Sequence, residues 1–334
     1  MSITTAPTTF ADLQTFTANA CRVNTAETAA MSKLKRLLNT GLQDLAIQAP
    51  WPWLERRARL VTHAPYTTGT CATSTSARTT VTGTSTAWNT AVAGYGFTNA
   101  RAGGKVRFSG EDIPYLVASV AGDTSLTLES SWVGDTALSG ASYTYYEDEY
   151  ALASDFFRPV DLKEFSETLR LPILTRSDFY RLLPANRTSG TPKCCTFIDT
   201  APSGSTARVQ KVVFAPYPSA SLSVEYRYVT VNLAVSSAGV AAEAMSADTD
   251  EPVLPLRFRH ALVHYAAENW YRDAKDDSRS AEHAGKYVDL VTRIKQDSAP
   301  EGDRPRFYVD RLGRRRGLSS PRFTTGTRWD RFSE

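Results

Sequence analysis

Between Thr62 and Thr90, twelve Thr and three Ser make up 15 of 29 residues, and no Lys, Asp or Glu occurs from Ala58 to Gly104. Disordered segments of that length ordinarily carry charge, and this stretch has a single Arg and no Lys, Asp or Glu. Threonine is β-branched and packs well on a pleated surface, so the segment reads as β-structure. Short runs separated by glycines recur at Arg78 to Thr82, Lys105 to Phe108, Tyr115 to Val120, Ser125 to Leu128 and Tyr143 to Tyr146. Five such strands predict a small antiparallel barrel of roughly 90 residues.

Helical periodicity flanks that block. Thr9 followed three residues on by Asp12 marks an N-cap, and Leu13, Phe16, Ala20 and Val23 follow at helical spacing. A second helix is predicted from Asn24, whose three-on partner is Glu27, with Ala30, Leu34, Leu37, Leu38, Leu42 and Leu45 along one stripe. It stops at Ala49-Pro50-Trp51-Pro52-Trp53, where proline removes a donor and pushes the preceding residue out of the helical region; Trp51 and Trp53 are placed to cap the helices.

A second β-rich stretch runs from Tyr150 to about Val231, with a short helix at Ser177 to Leu183 and runs at Cys194 to Ile198, Ala207 to Phe214 and Ser221 to Val231. The last alternates with period 2, placing Leu222, Val224, Tyr226 and Tyr228 on one face. Ala234 to Asp250 reads as a loop. Helices then return, with Pro252 and Pro255 suited to a first turn. The apolar series Phe258, Leu262, Val263, Ala266, Ala267 and Trp270 is separated by Asp273 to Asp277 from Ala284, Tyr287, Val288, Val291 and Ile294.

The predicted fold is α+β: a discontinuous antiparallel helical bundle with an inserted small β-barrel and a second β-rich domain, plus an extended C-terminal arm. The boundaries are 1–56 and 250–298 for the bundle, 57–150 for the barrel, 151–249 for the second β-rich region and 299–334 for the arm.

Several function classes drop out on composition. The 334 residues are 42% hydrophobic and 22% charged, with no apolar run near the roughly 18 residues of a membrane span. The N-terminus has neither a basic nor an apolar leader region, which predicts assembly in a cytoplasm. Cys21, Cys71, Cys194 and Cys195 lack metal-clip spacing and read as free thiols.

Candidate chemistry is sparse. His260, His264 and Glu268 fall on one helix side at spacing a zinc site could use, but no His-Glu-x-x-His accompanies them, and a polar helix face is the favoured reading. In Tyr146-Glu147-Asp148-Glu149-Tyr150, strand alternation places Glu147 and Glu149 on one face about 7 Å apart, a separation inverting glycosidases use. Nothing else supports catalysis, and an exposed acidic strand end is favoured. No phosphate loop, dinucleotide fingerprint or nucleophile elbow is present, so neither an enzyme nor a cofactor is expected.

The most informative local feature is electrostatic. The net charge of +3 divides into about −3 for residues 1–303 and +6 for residues 304–334, where nine Arg face three acids without a single Lys. Arg304, Arg306, Arg311, Arg314, Arg315, Arg316, Arg322, Arg328 and Arg331 alternate with Phe307, Tyr308, Phe323, Trp329 and Phe332. Arginine combined with aromatics favours bidentate and stacking contacts, hence docking into an acidic groove of a protein partner; binding along nucleic-acid phosphate is the competing reading.

Taken together, Ala49-Pro50-Trp51-Pro52-Trp53-Leu54, Val81-Thr82-Gly83-Thr84 with Thr86-Ala87-Trp88, Tyr150 to Phe156, Asp250 to Pro255, and Arg259 to Leu262 give a layout that resembles the head-to-tail adaptor (connector) proteins of tailed bacteriophages, particularly the tubular gatekeeper-type adaptors of short-tailed phages. The resemblance implies a structural virion protein at the neck between head and tail: a ring, usually of twelve copies, fixed to the portal protein by the arm. It would contact tail nozzle, tube or fibre proteins and help to retain or pass the packaged DNA, with a possible channel contact to DNA and none to membrane. Two other classes stand beside it. One is a virion glycan-binding or wall-degrading protein using the barrel and Glu147/Glu149; the other is a nucleic-acid-binding protein acting through the arm.

Overall fold

A computed structural model describes residues 6–134, 136–164, 171–182, 188–200 and 209–298. The molecule is mixed α and β with several sheets, and it divides into two units. Among the described residues, one combines those up to Leu54 with those from Asn232 to Ser298; the other lies within Glu55–Val231.

The first unit opens with α1 (Phe10–Cys21), where Thr9 and Asp12 form a reciprocal capping box. The helix α2 (Thr28–Gln48) begins later than Asn24. The Asn24 carboxamide instead accepts from the Ala26 N–H at 3.0 Å, closing a turn, and Glu27 takes the cap position with no side-chain bond. Past Pro50, the buried Trp51 indole donates to the Leu45 carbonyl at 2.6 Å and stacks on Trp53 at 4.8 Å, covering the end of α2.

The second unit starts with β1 (Glu55–Val61), followed by β2 (Thr70–Thr73), β3 (Thr80–Thr84), β4 (Lys105–Phe108), β5 (Tyr115–Gly122), β6 (Ser125–Leu128), β7 (Leu138–Ala141) and β8 (Tyr143–Tyr146). Strands β2 to β8 form one antiparallel sheet in the order β7-β2-β3-β6-β5-β4-β8. Only Ser142 separates β7 from β8, yet they lie at opposite ends of that order. The sheet therefore curls into a half-barrel, and Tyr66 and Tyr145 exchange two main-chain bonds of 2.9 Å where its edges approach. Trp88, Trp132, Phe108 and Tyr145 fill the interior. The Trp88 indole donates to the Tyr143 hydroxyl at 2.8 Å, which donates to the Thr68 carbonyl at 2.7 Å. Seven strands replace the predicted five; Leu-Ser-Gly-Ala in β7 has no β-branched or aromatic residue, and the two Thr of Thr-Cys-Ala-Thr in β2 do not stand out from the Thr-rich sequence around them.

The chain continues through β9 (Glu149–Ala151), β10 (Phe156–Glu164), α3 (Arg176–Leu182), β11 (Ser189–Gly190), β12 (Cys194–Thr200), β13 (Val209–Ala215), β14 (Tyr217–Pro218) and β15 (Ser223–Thr230). Two three-stranded antiparallel sheets, β1-β15-β10 and β12-β13-β9, share one core. Val224, Tyr226 and Tyr228 enter it from β15 at period 2. Residues 171–174 lie between the edges of β10 and β12 and bond to both: Leu171 N–H to the Leu162 carbonyl at 3.1 Å, Cys195 N–H to the Pro172 carbonyl at 3.0 Å, and Leu174 N–H to the Cys195 carbonyl at 2.8 Å.

Back in the first unit, the segment expected as a plain loop carries β16 (Ala234–Val235) and β17 (Ala241–Ala242), paired with β18 (Glu251–Pro252) in a small antiparallel sheet. Pro252 is thus in a strand, and Pro255 precedes a short 3₁₀ turn at Leu256–Phe258 instead of opening a helix. The helix itself, α4 (His260–Asp273), starts five residues further on and leads into α5 (Asp277–Ser298). α4 packs against α1, α2 and α5. Gly41 permits the approach of α2, since a Cβ there would stand 2.6 Å from the Tyr265 ring.

The two chain ends are spliced by hydrogen bonds. The first N–H groups of α1 lack partners within the helix, and here Phe10 N–H donates to the Asp250 carbonyl at 2.8 Å and Ala11 N–H to the Asp248 carbonyl at 2.9 Å. The buried Arg259 guanidinium donates to the carbonyls of Leu254 and Pro252, both at 3.0 Å, and to that of Thr8. Arg259→Ala strands those carbonyls and is expected to cost about 3 kcal/mol, measured by urea denaturation followed through Trp51 and Trp53 fluorescence; a loss below about 0.5 kcal/mol, as at an ordinary surface site, would show the staple to be dispensable.

Candidate functional site

The acidic run sits at the crossover from the half-barrel to the two-sheet core. β8 ends at Tyr146 and β9 begins at Glu149, so Glu147 and Asp148 form a two-residue link instead of continuing a strand. Contrary to the exposed strand end expected, Glu147 and Asp148 are only 3% and 4% exposed. Arg101 grips Glu147 bidentately at 2.8 and 2.6 Å, and the Tyr145 hydroxyl donates to the same carboxylate at 2.7 Å. Lys105 bridges Asp148 at 2.8 Å and Glu149 at 3.1 Å, and Lys211 reaches Glu149 at 3.3 Å.

The pKa directions follow from this arrangement. Burial alone would raise Glu149, but Lys105 and Lys211 together hold it below its ordinary value. Burial pushes Asp148 up against the pull of Lys105. Against its own burial, Lys105 is held above its ordinary value by Asp148 and Glu149, so it stays charged. Glu147 and Glu149 do line one cavity of about 470 Å³. An inverting pair needs one carboxyl kept protonated and one carboxylate free to activate water; here both are bound to cations, so the site acts as an electrostatic lock on the crossover.

The histidine face also resolves differently from its spacing. His260 lies edge-on to Phe16 at 5.5 Å, Glu268 pairs with Arg272, and His264 Nδ1 meets His283 Nδ1 on α5 at 3.1 Å. Among the described residues no group of three or more metal-ligating side chains converges. The His264–His283 pair was not visible in the sequence, because the two lie on different helices. Burial, then His283, Lys286 and His260, lower His264 to about 4. Two neutral imidazoles therefore join α4 to α5 at neutral pH.

Cys21, Cys71, Cys194 and Cys195 are free thiols, and burial pushes Cys195 up to about 12, which leaves it unreactive. The predicted docking residues Arg304, Arg306, Phe307, Tyr308, Arg311, Arg314, Arg315, Arg316, Arg322, Phe323, Arg328, Trp329, Arg331 and Phe332 lie outside the described residues.

The family model described as SU10 adaptor protein matches residues 120–308, more than half of the chain. The chain belongs to this phage adaptor family. The match begins within β5 and runs through the crossover, both three-stranded sheets, α4 and α5. No curated protein matches the chain significantly. Membership makes it a structural adaptor that interacts with other virion proteins such as portal and tail. No helix among the described residues is long and apolar enough to cross a membrane.

Two outcomes test the charge assignments. Lys105→Met leaves the buried Asp148 without its cation and the half-buried Glu149 with Lys211 alone, and should cost about 3–5 kcal/mol near neutral pH. Glu149, with its folded pKa below the ordinary 4.5, contributes stability above that value that is lost as pH falls through the folded pKa. In the variant both carboxyls titrate upward, so the deficit should shrink below about pH 5; urea denaturation read by Trp88 and Trp132 fluorescence measures it, and a pH-independent deficit contradicts the lock. His264, lowered from 6.5 to about 4, binds its proton first in the unfolded chain. Its stabilisation is thus complete above pH 6.5 and declines toward pH 4, and His264→Gln should flatten the decline in melting temperature over that interval.

Proposed function

We propose that the chain assembles into a homo-oligomeric ring, a dodecamer by the family resemblance, that joins the portal to the tail at the virion neck and helps to retain or pass the packaged DNA. In this reading the antiparallel bundle built from residues 1–56 and 250–298 forms the ring wall. Residues 299–334 climb onto the portal, and the β regions 57–150 and 151–249 face the tail nozzle, tube or fibres. The observation that carries the reading is the adaptor-family match across residues 120–308. Support comes from the helical unit, whose Ile47 and Val288 are 64% and 60% exposed on α2 and α5, giving apolar positions for side-to-side contact. Further support is the +6 arm, whose arginines and aromatics suit docking on an acidic partner.

The test is assembly on purified portal, read by negative-stain imaging and pull-down. The full chain is expected to give particles with a central hole and rotational symmetry, and deletion of residues 304–334 to abolish portal binding while leaving DNA affinity unchanged. A full-length chain that remains monomeric in the presence of portal overturns the ring. A deletion that removes salt-sensitive DNA binding and spares portal binding favours the nucleic-acid reading instead.

A further inference from the structure

The histidine pair that joins α4 to α5 lies in the half of α5 with the least apolar anchorage. Among the described elements, α5 packs broadly on α4 alone. Its buried apolar side chains are Tyr287, Val291 and Ile294, all in the second half of the helix. Tyr287 is fastened further. Its ring lies edge-on to Tyr265 at 5.4 Å, and its hydroxyl donates to Asp44 at 3.1 Å and accepts from Gln48 at 2.9 Å.

From Asp277 to Lys286 the ties to α4 are polar or aromatic. The Ser280 hydroxyl donates to the Glu268 carbonyl at 3.2 Å, and Arg279 lies over the Tyr271 ring at 5.3 Å. His283 stacks on Tyr271 at 5.8 Å, and its Nδ1 meets that of His264 at 3.1 Å. The segment is also a weak helix former, with Ser278, Ser280, His283 and Gly285 in close succession. A Cβ at Gly285 would meet nothing within 4 Å, so packing within the chain does not call for glycine there.

An Nδ1–Nδ1 bond needs one hydrogen and one lone pair, so it forms between two neutral rings or with one ring charged, and is lost when both are charged. The surroundings oppose each charge. Burial lowers His264, and His283, Lys286 and His260 lower it further against the pull of Glu282; burial and then Lys286 lower His283. The nearby carboxylates are already engaged, Glu282 by Lys286 at 2.6 Å and Glu268 by Arg272. Tyr271 offers the pair a ring face and no charge.

We propose that the His264–His283 pair is an acid-sensitive latch: protonation of both rings releases Asp277–Lys286 from α4 and frays the first half of α5, while Tyr287 to Ser298 stay docked. Opening separates the two charges and hydrates both rings, so the open segment binds more protons than the closed one. Both histidines are lowered in the closed state, so the latch is complete above about pH 6.5 and is lost as pH falls toward the closed-state values. Opening uncovers Tyr271, which is buried beneath His283 and Arg279. Such a partial opening is a local event distinct from unfolding of the whole unit. The latch works within one copy and does not depend on the adaptor reading.

The test is amide hydrogen exchange on the full chain, expressed as protection relative to the unstructured rate at each pH. Between pH 6.5 and 5, protection at Ala281 to Lys286 should fall roughly tenfold or more, as expected for a ring that moves from about 4 when closed to 6.5 when open. Over the same interval α1 and the amides of Val291 to Ile294 should keep their protection. His264→Gln combined with His283→Gln should remove the pH dependence at Ala281 to Lys286. Should that double variant fail to fold, Lys286→Met gives a second reading at an exposed position, since loss of its charge eases protonation in the closed state and should shrink the fall in protection. Gly285→Ala should raise protection about fivefold at every pH and leave the pH dependence as it was. The proposal is overturned by protection at Ala281 to Lys286 that does not change with pH, by an equal loss in α1 and in both halves of α5, or by a loss that persists in the double variant or is undiminished in Lys286→Met. Unchanged protection in Gly285→Ala overturns fraying of this segment as the opening event.

Discussion

The hydrogen-bonded splice between the two chain ends is the constraint on which the first unit depends. α1 cannot satisfy its leading N–H groups internally, and the carbonyls that do so come from Asp248 and Asp250, more than 230 residues away. Arg259 completes the join by collecting carbonyls from both sides of it, and α4 then lies against α1 and α2. An insertion as long as Glu55–Val231 is tolerated because the energy of closing the unit is concentrated at its own seam; loop-closure entropy grows only slowly with the length of what lies between.

The same logic recurs in the second unit, where the half-barrel and the two-sheet core are joined at an ionic crossover. Burying Glu147 and Asp148, with Glu149 half-buried beside them, is unfavourable unless each is matched. Arg101 and Lys105, four residues apart just before and at the start of β4, and Lys211 on β13 meet them. This matching turns a run that suggests acid–base chemistry into a charge-paired link between two sheets, in keeping with a structural adaptor.

What was legible in the sequence was what local physics decides. The Thr9–Asp12 spacing predicts the capping box found, and Lys105–Phe108, Ser125–Leu128 and Tyr143–Tyr146 are strands at the expected bounds because each alternates in a Thr/Tyr/Val-rich context. The period-2 face of β15 is likewise local. What was not legible depends on distant partners. Ala234–Val235 is a strand only because Ala241–Ala242 and Glu251–Pro252 pair with it. Glu147 is buried only because Arg101 lies beside it, and His264 meets His283 across two helices that no spacing rule connects. The arm residues, the most distinctive signal in the sequence, fall outside the described residues.

The spliced architecture also has a consequence in time. A ribosome delivers α1 and α2 first, but their partner α4 does not exist until some two hundred further residues have been added, roughly ten to forty seconds of elongation at bacterial rates. The contiguous unit Glu55–Val231 can complete itself in that interval, while the amphipathic helices ahead of it wait with their apolar stripes uncovered. Synthesis thus imposes an order in which the second unit matures before the first, and the waiting helices are the stretch of the nascent chain that a chaperone would have to shield.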